Sequence, residues 1–128
     1  MKENKKAVAV VGNFKFLKNH ASTFISNLRN QGRYQGELLI LTSLFTPTFL
    51  IKNIKRDINV TVIRLPKIKF DKKTKKRFLS LNTNNQPNRF KTKNFQWFKL
   101  NLFHTRLKEW DKIFYLDINL TIHKNLND

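Results

Sequence analysis

Apolar residues in this chain fall into two kinds of run, short continuous ones and longer ones spaced at three or four positions, and the two kinds alternate. Ala7 to Val11 is continuous and is closed by the turn-forming pair Gly12-Asn13, the pattern of a strand buried on both faces. Leu17, Ala21, Phe24, Ile25 and Leu28 then recur at helical spacing until Gly32 and the polar residues up to Gly36 stop the helix. Leu38 to Leu41 is a second continuous run. Thr46-Pro47 offers an N-cap with proline at the first helical position, opening a short helix covered by Phe49, Leu50, Ile51 and Ile54. Ile58 to Leu65, rich in β-branched residues and closed by Pro66, predicts a third strand.

The stretch Asn94 to Asn119 adds a helix that feeds a strand. Phe95, Phe98 and Leu102 make one apolar stripe and Leu100, Phe103 and Leu107 a second, so a helix over 95–107 is expected to pack on two sides. After Glu109-Trp110-Asp111, the run Ile113 to Leu116 reads as another doubly buried strand, with Asp117 at its carboxyl end. Strands alternating with helices predict a doubly wound α/β domain, a mostly parallel sheet with flanking helices. Right-handed crossovers place the first three strands in the order 3-2-1, with the Ile113 strand on the other side of strand one. The order reverses between those two central strands. Asn13 and Asp117 would flank the resulting crevice, where such sheets hold nucleotides.

Residues 67–94 break the rhythm with Lys- and Asn-rich sequence and only Phe70, Phe78, Leu79 and Leu81 as anchors. Lys72 to Arg77 has the make-up of a nuclear-import signal or a phosphate-binding patch, and equally of a solvated basic loop. Asn82 to Asn88 is turn-forming and reads as a flap or a plain loop.

Charge enlarges this picture. With 26 Lys and Arg against 8 Asp and Glu, the 128 residues carry a formal +18, which invites a polyanionic partner. Nucleic acid binding through Lys67 to Arg77 and Lys91 to Lys93 is one reading. The same abundance of Lys, Asn, Ile and Phe is what A/T-rich codons supply without any selected role. The length allows one domain, and the absence of cysteine excludes disulfides and thiolate metal sites and fits a reducing compartment. Ala7 to Val11 is too short for a signal segment or a membrane span, so a cytoplasmic protein is expected.

The chemistry narrows to the carboxyl ends of the strands. Gly12-Asn13-Phe14-Lys15-Phe16 lacks the glycines that let a backbone approach a pyrophosphate, and no P-loop occurs. A divalent ion on carboxylate oxygens is the natural substitute, and Asp117 with Asn119 offers one anionic and one neutral oxygen just past a strand. A simpler role for Asp117 is to cap the turn after the strand. Lys99 and Arg106 are readable as phosphate contacts or as snorkelling surface residues, while Trp97 and Trp110 read as core. His20, His104 and His123 lack paired ligand spacing, and no Ser-His-Asp or Cys-His arrangement can be read.

Trp110 to Asn119, followed by Leu120-Thr121-Ile122 and Asn125-Leu126, resembles the region around the DxD motif of glycogenin-like, family 8 glycosyltransferases. Lys99-Leu100 resembles the Lys-Leu pair on that family's preceding helix, with a slightly longer turn between, and Ala7 to Asn13 and Leu38 to Thr42 resemble its first two strands. The resemblance implies a Rossmann-like GT-A fold and metal-dependent hexosyl transfer from a UDP-sugar. It further implies Mn or Mg on Asp117 and Asn119, with Asn13, Phe16, Lys99 and Asp117 at the nucleotide-sugar. Asn119 stands where the motif has a second aspartate. The later histidine ligand, the acceptor site and much of the catalytic apparatus have no counterpart, so residues 1–128 are expected to be the donor-binding portion of a truncated domain, inactive alone and prone to self-association. A small basic nucleic-acid-binding protein and a non-catalytic remnant are the alternatives.

Overall fold

The computed structural model describes residues 4–57, 59–68, 71–74, 76–77, 94–124 and 126. It divides into two compact units, the first formed by Met1–Pro66 with Thr105–Asp128 and the second by Lys67–His104.

The first unit is α/β. Strands β1 (Lys6–Val11), β2 (Glu37–Ser43), β3 (Val60–Leu65) and β4 (Lys112–Tyr115) form one sheet in the order β3-β2-β1-β4. Every neighbouring pair is parallel. This is the order expected from right-handed crossovers, with the chain reversing direction across the sheet between β1 and β4, an arrangement compatible with a Rossmann-like fold. β1 and β2 are buried along nearly their whole length, as their continuous apolar runs predict. β4 departs from expectation. It takes the expected place beside β1, at the sheet's edge among the described strands, but it is not buried on both faces, since Phe114 is 61% exposed. An apolar tetrapeptide cannot by itself distinguish a central strand from an edge one.

Helix α1 (Phe14–Asn30) covers one face of the sheet, laying Leu17, Ala21, Phe24, Ile25 and Leu28 against Val8, Val10, Leu38 and Ile40. Ile118 and Ile122, after β4, join the same core. Gly32 follows α1 because the chain is crowded there: a Cβ would stand 2.7 Å from the Leu28 carbonyl oxygen. Helix α2 (Thr48–Ile54) begins one residue later than the Thr46-Pro47 signal suggested, with Pro47 at the N-cap position and no side-chain capping bond. Thr46 does not cap because its hydroxyl is buried and bonds Thr42 Oγ1 at 2.6 Å.

The second unit holds the basic segment. Residues 72–74 and 76–77 are helical rather than irregular, and Asp71 Oδ1 accepts the Thr74 amide at 2.6 Å in the manner of an N-cap. The expected α-helix over 95–107 is instead 3-10, in two pieces, Asn94–Phe103 in this unit and Thr105–Leu107 in the first. Its apolar spacing does not select between the two kinds of helix. Phe95 and Phe98, and Leu100 and Phe103, are three apart, and a period of three fits a 3-10 helix as well as an α-helix. Two-sided packing is not observed, since Leu100 and Phe103 are exposed while Phe98 and Leu107 are buried. Phe70, Lys75, Phe78, Leu79, Leu81, Asn82 to Asn88 and Lys91 to Lys93 lie outside the described residues.

Candidate functional site

The carboxyl edge of the sheet in the first unit is where β1 ends in Gly12-Asn13 and β4 ends in Leu116-Asp117. Ala9 pairs with Tyr115 in the β1–β4 ladder, and the Leu116 amide donates to the Ala9 carbonyl at 2.9 Å. Asp117 follows two residues after that last pair, past the end of β4, and Asn13 lies two residues past the end of β1 on the same edge. Sequence and topology agree on this placement.

Asp117 is half-buried. Tyr115, the last residue of β4, donates its Oη to Asp117 Oδ1 at 2.5 Å just past the strand. Burial, and then the bond to Asp117, push the Tyr115 phenol above its ordinary value. Asp117 also opens a turn, its carbonyl accepting the Leu120 amide at 3.1 Å, so the turn-forming role is present as well. The turn buries Ile118 and exposes Asn119.

The other predicted residues are distributed less evenly. Asn13 is the N-cap of α1, its Oδ1 accepting the Phe16 amide at 2.9 Å, a role that its preference for this position could have announced. Phe16 is 41% exposed in the first turn of α1, its ring 5.9 Å from that of His20. Asn119 borders a cleft of about 290 Å³ shared with His20, Thr23, Phe24 and Asn27 on α1 and with Ile118, Leu120 and Thr121. Lys99 belongs to the second unit, half-buried on the 3-10 helix. Arg106 is held by the backbone of β3, its Nη1 donating to the Arg64 carbonyl at 3.0 Å.

Acidic residues elsewhere in the first unit are tied to the opposite edge. Glu37 accepts from Thr61 Oγ1 at 3.0 Å and from Trp110 Nε1 at 2.7 Å. Asp111 accepts the Lys5 amide at 2.7 Å, and Glu109 pairs with Lys5 Nζ at 3.0 Å. Trp110 is buried, as read from the sequence, under that same Lys5 ammonium 4.5 Å from its ring. Among the described residues, Asp117 is thus the acid of this unit's carboxyl edge, and no group of three or more His, Asp or Glu side chains is gathered to hold a metal.

Two residues escaped sequence reasoning. Tyr115 was legible in principle, from its i, i+2 relation to Asp117. Asn27 was not: it sits in mid-helix with no motif, yet its side chain binds the backbone of Ile122 and so ties the segment after Asp117 to α1. No helix among the described residues is long and apolar enough to cross a membrane. A comparison with protein-family models, with curated proteins and with solved structures finds no match to this chain.

Proposed function

We propose that the first unit is the nucleotide-binding part of a GT-A glycosyltransferase domain, which binds the diphosphate of a UDP-sugar at the carboxyl edge of β1 and β4 for metal-dependent hexosyl transfer. The observation that carries this reading is the position of Asp117: one carboxylate at the reversal point of a parallel sheet, in a chain whose net charge is +18. The donor set fits a hard cation, because Mg and similar ions are commonly held by one or two carboxylates with substrate phosphates completing the shell. Asp117, with Asn119 beside it, would hold Mn or Mg, and the ion would neutralise the diphosphate. Tyr115 orients the carboxylate through its 2.5 Å bond. Asn13 keeps the first turn of α1 in place, and Phe16 offers an exposed ring to a base. The rest of the catalytic apparatus and the acceptor site are not assigned to any residue here. Calorimetry with UDP, with and without Mn, on the wild type and on Asp117→Asn is the test. Metal-dependent binding that the substitution abolishes supports the reading, and equal binding without metal overturns it.

A second reading rests on a separate observation. Lys72, Lys73, Lys76 and Arg77 are exposed on the helical piece of the second unit, an arrangement that suits phosphate backbone contacts. Nucleic acid binding there would be independent of Asp117.

A further inference from the structure

The connection from β2 to α2 presents apolar side chains to solvent on a fixed support. Ser43 to Thr46 is a β-turn, closed by the Thr46 amide on the Ser43 carbonyl at 3.2 Å, and its two central positions are Leu44 and Phe45. Turn centres ordinarily carry Gly, Asn, Asp, Ser or Pro. Here Leu44 is 56% exposed and Phe45 90%, and Phe49, in the first turn of α2, is 63% exposed. A slack loop would fold these side chains back onto the body. This one is pinned: the buried Thr46 hydroxyl bonds Thr42 Oγ1 at 2.6 Å, and Arg64 Nη2 donates to the Thr46 carbonyl at 2.7 Å and to Thr48 Oγ1 at 3.1 Å.

The surroundings of the tip have a definite charge. It projects from the carboxyl edge of the sheet, from which α1 also departs with Lys15 and Lys18 exposed, while Lys52 is exposed three residues after Phe49. Asp117 is the carboxylate of that edge and is bonded by Tyr115, while Glu37, Glu109 and Asp111 are engaged at the amino edge. An apolar tip on an edge that also carries exposed lysines, in a chain of net charge +18, matches the two terms that hold a protein on an anionic bilayer, burial of apolar side chains at the acyl boundary and attraction of lysines to acidic headgroups. A nucleic acid would favour flat aromatic platforms within a basic groove. The aliphatic Leu44 at the turn centre, with no π face, suits hydrocarbon better than a base.

We propose that the Leu44-Phe45 turn with Phe49 is a membrane-docking tip that inserts into the interface of bilayers bearing anionic lipid, with Lys15, Lys18 and Lys52 against the headgroups. This does not depend on the nucleotide reading. It sets the carboxyl edge of the sheet facing the lipid surface.

The chain has no cysteine, so Phe45→Cys creates a unique attachment point for a polarity-sensitive dye. With vesicles of phosphatidylserine in phosphatidylcholine, the dye emission should shift to the blue, and with phosphatidylcholine alone it should not. In sedimentation with the same vesicles, the unlabelled Phe45→Ser/Phe49→Ser protein should bind at least about tenfold more weakly than the wild type. Both positions are exposed, so its circular dichroism should match the wild type, and Lys15→Glu/Lys52→Glu gives an independent loss. The proposal is overturned if the wild type ignores anionic vesicles. It is equally overturned if vesicles bind with the dye at position 45 still in water, since a different basic surface then makes the contact. A dye response to single-stranded nucleic acid but not to vesicles would assign the tip to nucleic acid and overturn it too.

Discussion

The side chain of Asn27 and the backbone of Ile122 bond to each other in both directions, Nδ2 donating to the Ile122 carbonyl at 2.9 Å and Oδ1 accepting the Ile122 amide at 2.5 Å. A strand neighbour would make the same pair of bonds. Here a helix side chain substitutes for one and fixes the segment that carries the Asp117 turn.

Asn27→Ala is therefore expected to cost about 1–3 kcal/mol, despite the better helix propensity of alanine, because it leaves two partly buried backbone groups without their partner. Asn27→Asp should cost nearly as much, since it restores the acceptor but sets an oxygen against the Ile122 carbonyl. Denaturant melts of the three proteins measure both effects. A loss below half a kilocalorie in both would show that the segment is held by Ile118 and Ile122 packing alone.

Gly32 marks the other end of that attachment. An added Cβ would meet the Leu28 carbonyl oxygen at 2.7 Å, Ile122 Cγ2 at 3.3 Å and Leu126 Cδ1 at 3.4 Å, and the Gly32 carbonyl accepts the Leu126 amide at 2.8 Å. The closest of these atoms is helix backbone, which cannot swing away. Gly32→Ala should destabilise by roughly 1–3 kcal/mol and loosen residues 122–126, visible as faster amide exchange there than in β1.

Alkaline pH provides a separate check on the Tyr115–Asp117 contact. The Tyr115 phenol is raised above the ordinary 10.0, first by burial and then by the carboxylate, and burial raises Tyr34 as well. The unfolded chain then loses these protons at lower pH than the folded one. Their stabilising contribution is complete below pH 10 and is lost as pH rises through the folded values. Stability should fall above that point, and Tyr115→Phe should fall less steeply than the wild type. Parallel slopes in urea melts across that range would remove the proposed bond.

How far the sequence carried can be judged from these residues. Continuous apolar runs located β1 and β2, and the handedness of crossovers gave the strand order, because burial and chirality act locally and uniformly. The same reasoning placed Asn13 and Asp117 on one edge. Periodicity misjudged 95–107, where apolar residues three apart serve two kinds of helix, and it read β4 as buried on both faces although Phe114 is exposed. It missed Asn27 altogether, because the partner is a backbone group 95 positions away and leaves no mark in the chain.

The basic segment is best probed by salt. If Lys72, Lys73 and Lys76 contact phosphates, changing all three to Ala should lower the slope of log affinity against log salt for single-stranded nucleic acid by about 2. An unchanged slope would leave the charge as composition without a partner.

The proposed nucleotide site turns on charge, and conservative changes separate charge from shape. A bare carboxylate beside a diphosphate repels it, so Asp117 helps only if a cation stands between them. Asp117→Asn keeps an oxygen that can accept from Tyr115, leaves the turn intact and removes the charge, so it should abolish Mn-dependent UDP binding while changing the melt by less than about 1 kcal/mol. Asn119→Asp does the opposite. It adds a second anionic oxygen two residues on, at an exposed position where repulsion from Asp117 is screened by water, and should tighten Mn-dependent binding on the order of tenfold, about 1.4 kcal/mol. Asn119 borders the cleft lined by His20 and Thr23, so that gain requires its side chain to turn toward the ion. Calorimetry reads both substitutions. If Asp117→Asn loses metal-dependent binding and Asn119→Asp leaves it unchanged, the ion rests on Asp117 and phosphate alone. If Asp117→Asn binds UDP as the wild type does, no ion bridges there and Asp117 serves the turn.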